Sequence, residues 1–269
     1  MLDAPSESLV RHRAGAGEPL VLLHGVGESS VGWRPVQDSL AERHDVIVLD
    51  LPGFGSAPAL PAGVLPTASA LADAVEREMD VLGIATFHVA GYSLGGRIAL
   101  ELGTRGRTRS VLAIAPDGLG SPVERIYQAA ALMTGHALAG VIAPTADRVG
   151  SSAVGRAMFF AMERSRPWQL PPSDAARLLV DFADAPGYDA TVWATLWDVP
   201  QRLHEISCPV LLLQGTADPL VSMQTPRYLP LVPGSRFRWL PGLSHVPISD
   251  DPELVASLML EFTTAAASR

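Results

Sequence analysis

Short runs of apolar residues alternate along this chain with stretches whose apolar positions recur every three or four residues. Residues 20–23, 46–49, 88–90, 111–115 and 210–213 are almost continuously apolar, which predicts strands covered on both faces. Residues 236–240 form a later, more polar strand candidate. Residues 68–82 carry Leu71, Val75, Met79 and Leu82 at the spacing of an amphipathic helix. Residues 94–103 and 252–263 also predict helices, the second with Asp250 or Asp251 as its cap and a proline in its first turn. Strands alternating with helices predict an α/β protein with a mostly parallel sheet. The alternation stops from about residue 118 to residue 200. There Met133, Met158, Phe159, Phe160, Met162, Trp168, Trp193 and Trp197 are joined by Pro167 and Pro171-Pro172 without a strand pattern. The expected division is therefore a core of residues 1–117 and 201–269, with residues 118–200 as a helical cap.

Composition narrows the chemistry. Of 269 residues 48% are hydrophobic and the net charge is −8, enough apolar content for a large core. The 20 basic residues are scattered, so the clustered cations that displace counterions from nucleic acid are not expected. The chain contains no lysine, which removes Schiff-base, pyridoxal-phosphate and P-loop lysine chemistry. It contains no asparagine, and Cys208 is its one cysteine, so neither a Cys-His-Asn site nor a cysteine zinc cluster can form. The first ten residues lack a cationic start and an apolar stretch. Residues 129–144 are too short and too interrupted for a bilayer span. The expectation is a cytoplasmic protein acting on a small-molecule substrate, with no membrane span and oligomeric state open.

Candidate chemistry gathers where strands end. Gly91-Tyr92-Ser93-Leu94-Gly95 follows the strand run ending at Ala90 and opens the helix from residue 94. A sharp strand-to-helix turn needs small residues beside the serine and leaves its hydroxyl at a helix N-terminus, where free amides favour negative charge. His24-Gly25-Val26-Gly27 follows residues 20–23, and the backbone N–H groups of Val26 and Leu94 are the candidate oxyanion hole. A dinucleotide loop there would need a third glycine where Ser30 stands. His24 is read as shaping the loop. A serine hydroxyl needs a base, and that base needs orienting. Of seven histidines, His245 is best placed, in the loop between the last strand candidate and the last helix. Asp218 follows residues 210–213, giving the chain order Ser93, Asp218, His245; Asp117, also at a strand end, is its rival for the acid. Asp50 is assigned to a turn and Cys208 to packing.

The segments Leu22-Leu23-His24-Gly25-Val26-Gly27, Asp50-Leu51-Pro52-Gly53-Phe54-Gly55, Gly91-Tyr92-Ser93-Leu94-Gly95-Gly96, Gly215-Thr216-Ala217-Asp218 and Gly242-Leu243-Ser244-His245 resemble, in order, the α/β-hydrolase superfamily. The resemblance implies an eight-stranded sheet with a cap inserted after the sixth strand. It implies a serine branch, since haloalkane dehalogenases and epoxide hydrolases use an aspartate where Ser93 stands. Tyr92-Ser93-Leu94-Gly95-Gly96-Arg97 also looks like the menaquinone-pathway C–C lyases, in which an arginine at the Arg97 position contacts substrate carboxylates; Arg125 would have to help. Similarity to meta-cleavage C–C hydrolases is weaker, because Tyr92 replaces their asparagine. Tyr92, Arg97, Trp168 and Met158 are the candidate substrate-binding residues. The working expectation is cleavage of a carboxylic ester of a largely apolar substrate through an acyl-enzyme, requiring no metal or cofactor. C–C bond cleavage and a non-catalytic ligand receptor are the alternatives.

Overall fold

The computed structural model describes residues 8–221 and 223–267. Seven strands form one sheet: β1 (Val10–Ala14), β2 (Glu18–Leu23), β3 (His44–Leu49), β4 (Phe87–Tyr92), β5 (Thr108–Ile114), β6 (Val210–Gly215) and β7 (Arg236–Leu240). Their order is β1-β3-β2-β4-β5-β6-β7. β1 pairs antiparallel with β3 and every other pairing is parallel. Parallel strands end at the same edge, so the motif-bearing loops after β2, β4, β5 and β6 emerge side by side.

The continuous apolar runs follow from two covered faces. Successive side chains point to opposite sides of a sheet. Leu20, Leu22, Val46 and Val48 pack under α1 (Arg34–Ala41) and α10 (Pro252–Ala267) with Val36, Leu40, Val255 and Met259. Val21, Leu23, Ile47 and Leu49 pack on the other side under α2 (Ala68–Val81) and α3 (Leu94–Gly103), with Leu71, Val75 and Ile98.

Between β5 and β6 the chain forms α4 (Pro122–Ile142), α5 (Ala146–Ser151), α6 (Ala153–Phe160), α7 (Pro172–Ala183) and α8 (Tyr188–Leu196). The sequence lacks a strand pattern here, and no strand interrupts these helices. Ser121 caps α4 reciprocally with Glu124. A separate small core joins Ala139 of α4, Phe160 of α6 and Leu178 and Leu179 of α7. By length and composition the run Pro122–Ser151 could cross a membrane, a longer stretch than residues 129–144. In this fold α4 packs against α7 and α8.

Several expectations need correction. Eight strands were expected and seven occur among the described residues, so the helical insertion follows the fifth of these. β1 was not expected, because Val-Arg-His-Arg-Ala mixes charged and apolar residues, as a half-exposed edge strand can. α1 was also missed; it has eight residues and a proline in its first turn. Asp251 caps α10 by accepting from Leu254 N–H at 3.1 Å, while Asp250 accepts instead from the Ser244 and Arg166 amides. The reading of a leaderless N-terminus concerns mainly residues 1–7, which lie outside the described residues.

Candidate active site

Ser93 stands between β4 and α3 with φ 54° and ψ −124°, a backbone conformation costly for a residue with a Cβ. It is held by its N–H, which donates to Ile114 O of β5 at 2.9 Å. The flanking glycines are there for space. A Cβ on Gly91 would sit 2.2 Å from Gly95 O, and one on Gly95 would sit 2.3 Å from Leu23 O and 2.6 Å from His24 O. The turn is thus pressed against the end of β2, beside the His24–Gly27 loop. The Val26 and Leu94 amides donate to no group among the described residues. That leaves them available, as the first amides of a helix usually are.

Asp218 follows β6, with β5 between it and β4, so two strand spacings of about 4.8 Å separate the two positions. His245 reaches Asp218 from the loop after β7. Its loop folds back over β6: Ala217 N–H donates to Leu243 O at 2.9 Å, and a Cβ on Gly215 would lie 2.2 Å from Ser244 O. Only glycine at 215 lets that loop cross. His245 Nδ1 and Asp218 Oδ2 are 2.9 Å apart. The same Asp218 oxygen accepts from Gln214 Nε2 at 2.7 Å, and Oδ1 accepts from the amides of Leu220 at 2.7 Å and Val221 at 3.1 Å. Burial alone would lower His245, but the Asp218 charge and hydrogen bond outweigh it and hold the imidazole above its ordinary value; Glu163 and Glu28 add to this. Burial pushes Asp218 the other way, and His245 with the Val221 and Gln214 donors leaves it below the usual carboxylate range. Asp117, the rival acid, makes no such bond: its Oδ1 is buried without a partner.

Two neighbouring polar residues are structural, in line with their sequence reading. His24 Nε2 accepts from Leu51 N–H at 2.9 Å, and burial lowers its pKa, keeping it neutral. Asp50 accepts from the Ser30 amide at 2.8 Å and the Ser56 amide at 2.9 Å, tying two turns together. Among the described residues no group of three or more His, Cys, Asp and Glu side chains is placed to hold a metal.

A buried charge cluster beside the site went unnoticed in the sequence. Glu28, one residue past Gly27, accepts from the Tyr92 hydroxyl and from Arg164 Nη2. Arg164 also donates to Glu163 Oε2 at 2.7 Å and to Ser249 Oγ at 3.0 Å. Val246 N–H, next to His245, donates to Glu163 O at 2.8 Å. The helical insertion is thereby tied at one point to the loops carrying Val26, Ser93 and His245. The partners lie 136 residues apart, so no local pattern could reveal them.

Two of the four candidate substrate-binding residues line neither cavity described below, and protein groups engage the Tyr92 hydroxyl and the terminal guanidinium nitrogens of Arg97. Tyr92 is buried against Trp33, with its hydroxyl on Glu28. Arg97 is 2% exposed; it pairs with Asp198 at 2.7 Å and donates to the carbonyls of Asp198 and Thr195. It is a strut between α3 and the end of the insertion. Arg125 does line the small recess described next, with its guanidinium donating to the Gly118, Gly120 and Leu196 carbonyls. Trp168 is half exposed and lines neither cavity described next. Met158 does line one, at its rim.

A cavity of about 600 Å³ lies between core and insertion, lined by Gly27, Leu220, Leu132, Leu178, Phe182 and Met158 among others, with Glu28 and Glu163 as its acidic side chains. A second recess, of about 30 Å³, is lined by Val26, Leu94, Asp117, Gln128, Leu132 and Thr195 among others. The cavity and the recess adjoin the His24–Gly27 loop, one at Gly27 and the other at Val26.

A twisted parallel sheet with a serine turn after β4 and an Asp–His pair at the same edge defines an α/β-hydrolase architecture. The sequence profile of the alpha/beta hydrolase family matches residues 20–258, and the chain belongs to that family. It is 30% identical over 216 residues to the (E)-2-((N-methylformamido)methylene)succinate hydrolase of Acinetobacter baylyi, covering 76% of this chain and 74% of that protein. It is 30% identical over 203 residues to an epoxide hydrolase of Mycobacterium tuberculosis, covering 73% and 94%. A third relative is a dihydrolipoyllysine-residue acetyltransferase component of the acetoin cleaving system of Cupriavidus necator. Identity to it is 36% over 117 residues, 43% of this chain, and the alignment spans only 31% of that protein. Among solved structures, a thermophilic esterase from Thermogutta terrifontis superposes with TM-score 0.73 at 22% identity, covering 95% of this chain and 92% of that one. That likeness concerns the fold.

Proposed function

We propose that this hydrolase cleaves carboxylic esters with a large apolar group, using Ser93 as nucleophile, His245 as base and Asp218 as the acid that orients it. Ser93 Oγ attacks the ester carbonyl while His245 Nε2, on the far side of the ring from Asp218, takes the hydroxyl proton. The carbonyl oxygen becomes an oxyanion that accepts from the Val26 and Leu94 amides, donors fixed before charge develops. His245 then returns the proton to the departing alcohol. Water repeats the sequence on the acyl-serine, releasing the acid and restoring Ser93. All proton transfers run through one imidazole, and no step draws on a metal or cofactor.

The observation carrying the substrate class is the cavity of about 600 Å³ between core and insertion, which is the size of a small-molecule site. Its lining is predominantly apolar. C–C cleavage of polyanionic substrates would call for free cations near the serine, and Arg97, Arg125 and Arg164 are all held by protein carbonyls and carboxylates. That favours an uncharged ester.

A panel of p-nitrophenyl esters from acetyl to dodecanoyl tests the reading, together with a fluorophosphonate probe of the nucleophile. Wild type should hydrolyse medium or long acyl chains best and be labelled. Ser93→Ala should lose labelling and at least about 1,000-fold in kcat. Equal labelling of both proteins would remove Ser93 from the mechanism, and negligible turnover of every chain length would remove the ester reading.

A further inference from the structure

The mechanism above gives no role to Asp117, which lines the recess beside the candidate oxyanion donors. After β5 ends at Ile114, Ala115 adopts φ 45° and Pro116 follows. A left-handed residue that is not glycine costs about 1 kcal/mol or more. The next residue, Asp117, has its backbone carbonyl held by the Tyr228 hydroxyl. Its side chain lines the recess of about 30 Å³ shared with Val26 and Leu94, and its Oδ1 is buried with no hydrogen-bond partner. A buried acceptor without a donor typically costs about 1–3 kcal/mol. Strain and an unsatisfied oxygen therefore coincide just after β5, at a residue that shares the recess with the candidate oxyanion donors. Neither nearby cation donates to that oxygen: Arg97 pairs with Asp198 while its Nε stays without a partner, and Arg125, which also lines the recess, donates to three backbone carbonyls. Burial pushes the Asp117 carboxyl above its ordinary range, toward the neutral form, which can both donate and accept.

We propose that Asp117 and its recess form a polar subsite that hydrogen-bonds a hydroxyl on the smaller of the two groups flanking the scissile carbonyl. The substrate class is then a hydroxylated ester with one long apolar arm, a refinement that rests on reading Ser93 as an ester-cleaving nucleophile. Size supports the assignment. A recess of 30 Å³ has room for about two waters, enough for a hydroxyl and its carbon and too little for an alkyl chain. The apolar arm has the larger cavity, which shares Leu132 with the recess and is lined by Gly27 where the recess is lined by Val26. A site built to bond a hydroxyl discriminates strongly against the analogue lacking it, because its own polar groups are left unpaired.

Two isosteric ester pairs provide the test: 2-hydroxyethyl against n-propyl decanoate, and decyl glycolate against decyl propionate. Together they present the hydroxyl on either side of the ester. In one pair, wild type should favour the hydroxylated member by about tenfold or more in kcat/KM. Asp117→Leu should bring that ratio close to one, and Asp117→Asn, which keeps a donor and an acceptor, should retain most of it. Fluorophosphonate labelling of each variant reports whether the site has folded. Equal kcat/KM within both pairs for wild type would overturn the proposal without any variant, leaving a recess that holds water only. A preference that survives Asp117→Leu would overturn the assignment to Asp117. Failure of wild type to hydrolyse all four esters and to be labelled would overturn the ester reading itself, and the subsite with it.

Discussion

The proposed chemistry rests on three side chains, and their surroundings suit them to unequal tasks. Asp218 satisfies both carboxylate oxygens with donors and bonds His245 at 2.9 Å, whereas Asp117 has no bond to the imidazole. Asp218→Asn should therefore cost on the order of 1,000- to 10,000-fold in kcat by misorienting the ring, and Asp117→Asn less than about tenfold on unsubstituted esters. Steady-state kinetics on both variants checks this, and the reverse ranking would move the acid to Asp117. The pH profile offers a second check. The base must be neutral to act, and Asp218, with help from Glu163 and Glu28, holds His245 above its ordinary value of 6.5. Activity should thus fall as pH drops through a midpoint above that value. Glu163→Gln removes one negative charge that favours the imidazolium, so the acid limb of kcat/KM should move to lower pH. A limb that stays in place would mean that Glu163 is protonated or too well screened by Arg164. The motif around Ser93 was legible in sequence because a sharp strand-to-helix turn needs small residues beside the serine. The pairing of His245 with Asp218 rather than Asp117 was not, since both acids follow strands and only the path of the loop over Gly215 separates them.

Among the elements, the segment after α6 has the most to hold. Arg164 is buried and joined to Glu28, Glu163 and Ser249. Deleting one partner of a buried ion pair leaves the other charge uncompensated, so Arg164→Met should lower stability by about 3–5 kcal/mol. Urea unfolding at neutral pH measures that loss. If instead Arg164→Met is neutral, hydrophobic replacement has compensated for the pair and the tie is not what fixes the insertion. The strands and helices that sequence reading recovered, β2 to β7 with α2, α3 and α10, carry strong apolar periodicity. Those it missed are short or half exposed: β1 sets Arg11-His12-Arg13 between Val10 and Ala14, and α1 has only eight residues. Arg97 illustrates the opposite error. Helical spacing does set it one turn from Ser93, but Asp198, on a distant segment, takes its guanidinium.

For the whole molecule, the relation between sheet edge and insertion decides what can enter. The large cavity is bounded by α4, α6 and α7 on one side and by the Gly27 and Leu220 loops on the other. Ala131 lines it as a small residue, so Ala131→Phe should shift the optimum in an acyl-chain series toward shorter esters by about two carbons or more, one buried methylene being worth about 0.8 kcal/mol. An unchanged chain-length profile would place the apolar arm elsewhere. The apolar character of this cavity was foreshadowed by the methionines and aromatics of residues 118–200. Which of them face it was not, and Trp168 and Met158, equally suggestive in sequence, end in different surroundings.

By itself the sequence determined the α/β class, strands β2 to β7 and the serine turn. Each of these depends on periodicity or on backbone demands within a few residues. The tertiary structure alone decided which carboxylate reaches the imidazole, that Arg97, Arg125 and Arg164 are occupied by protein groups, and that Asp117 borders a small recess with one oxygen unpaired. Those outcomes turn on burial and on partners up to 136 residues apart. Hydrogen bonds and ion pairs of that range follow from how the loops cross the sheet edge, which no local pattern of apolar and polar residues encodes.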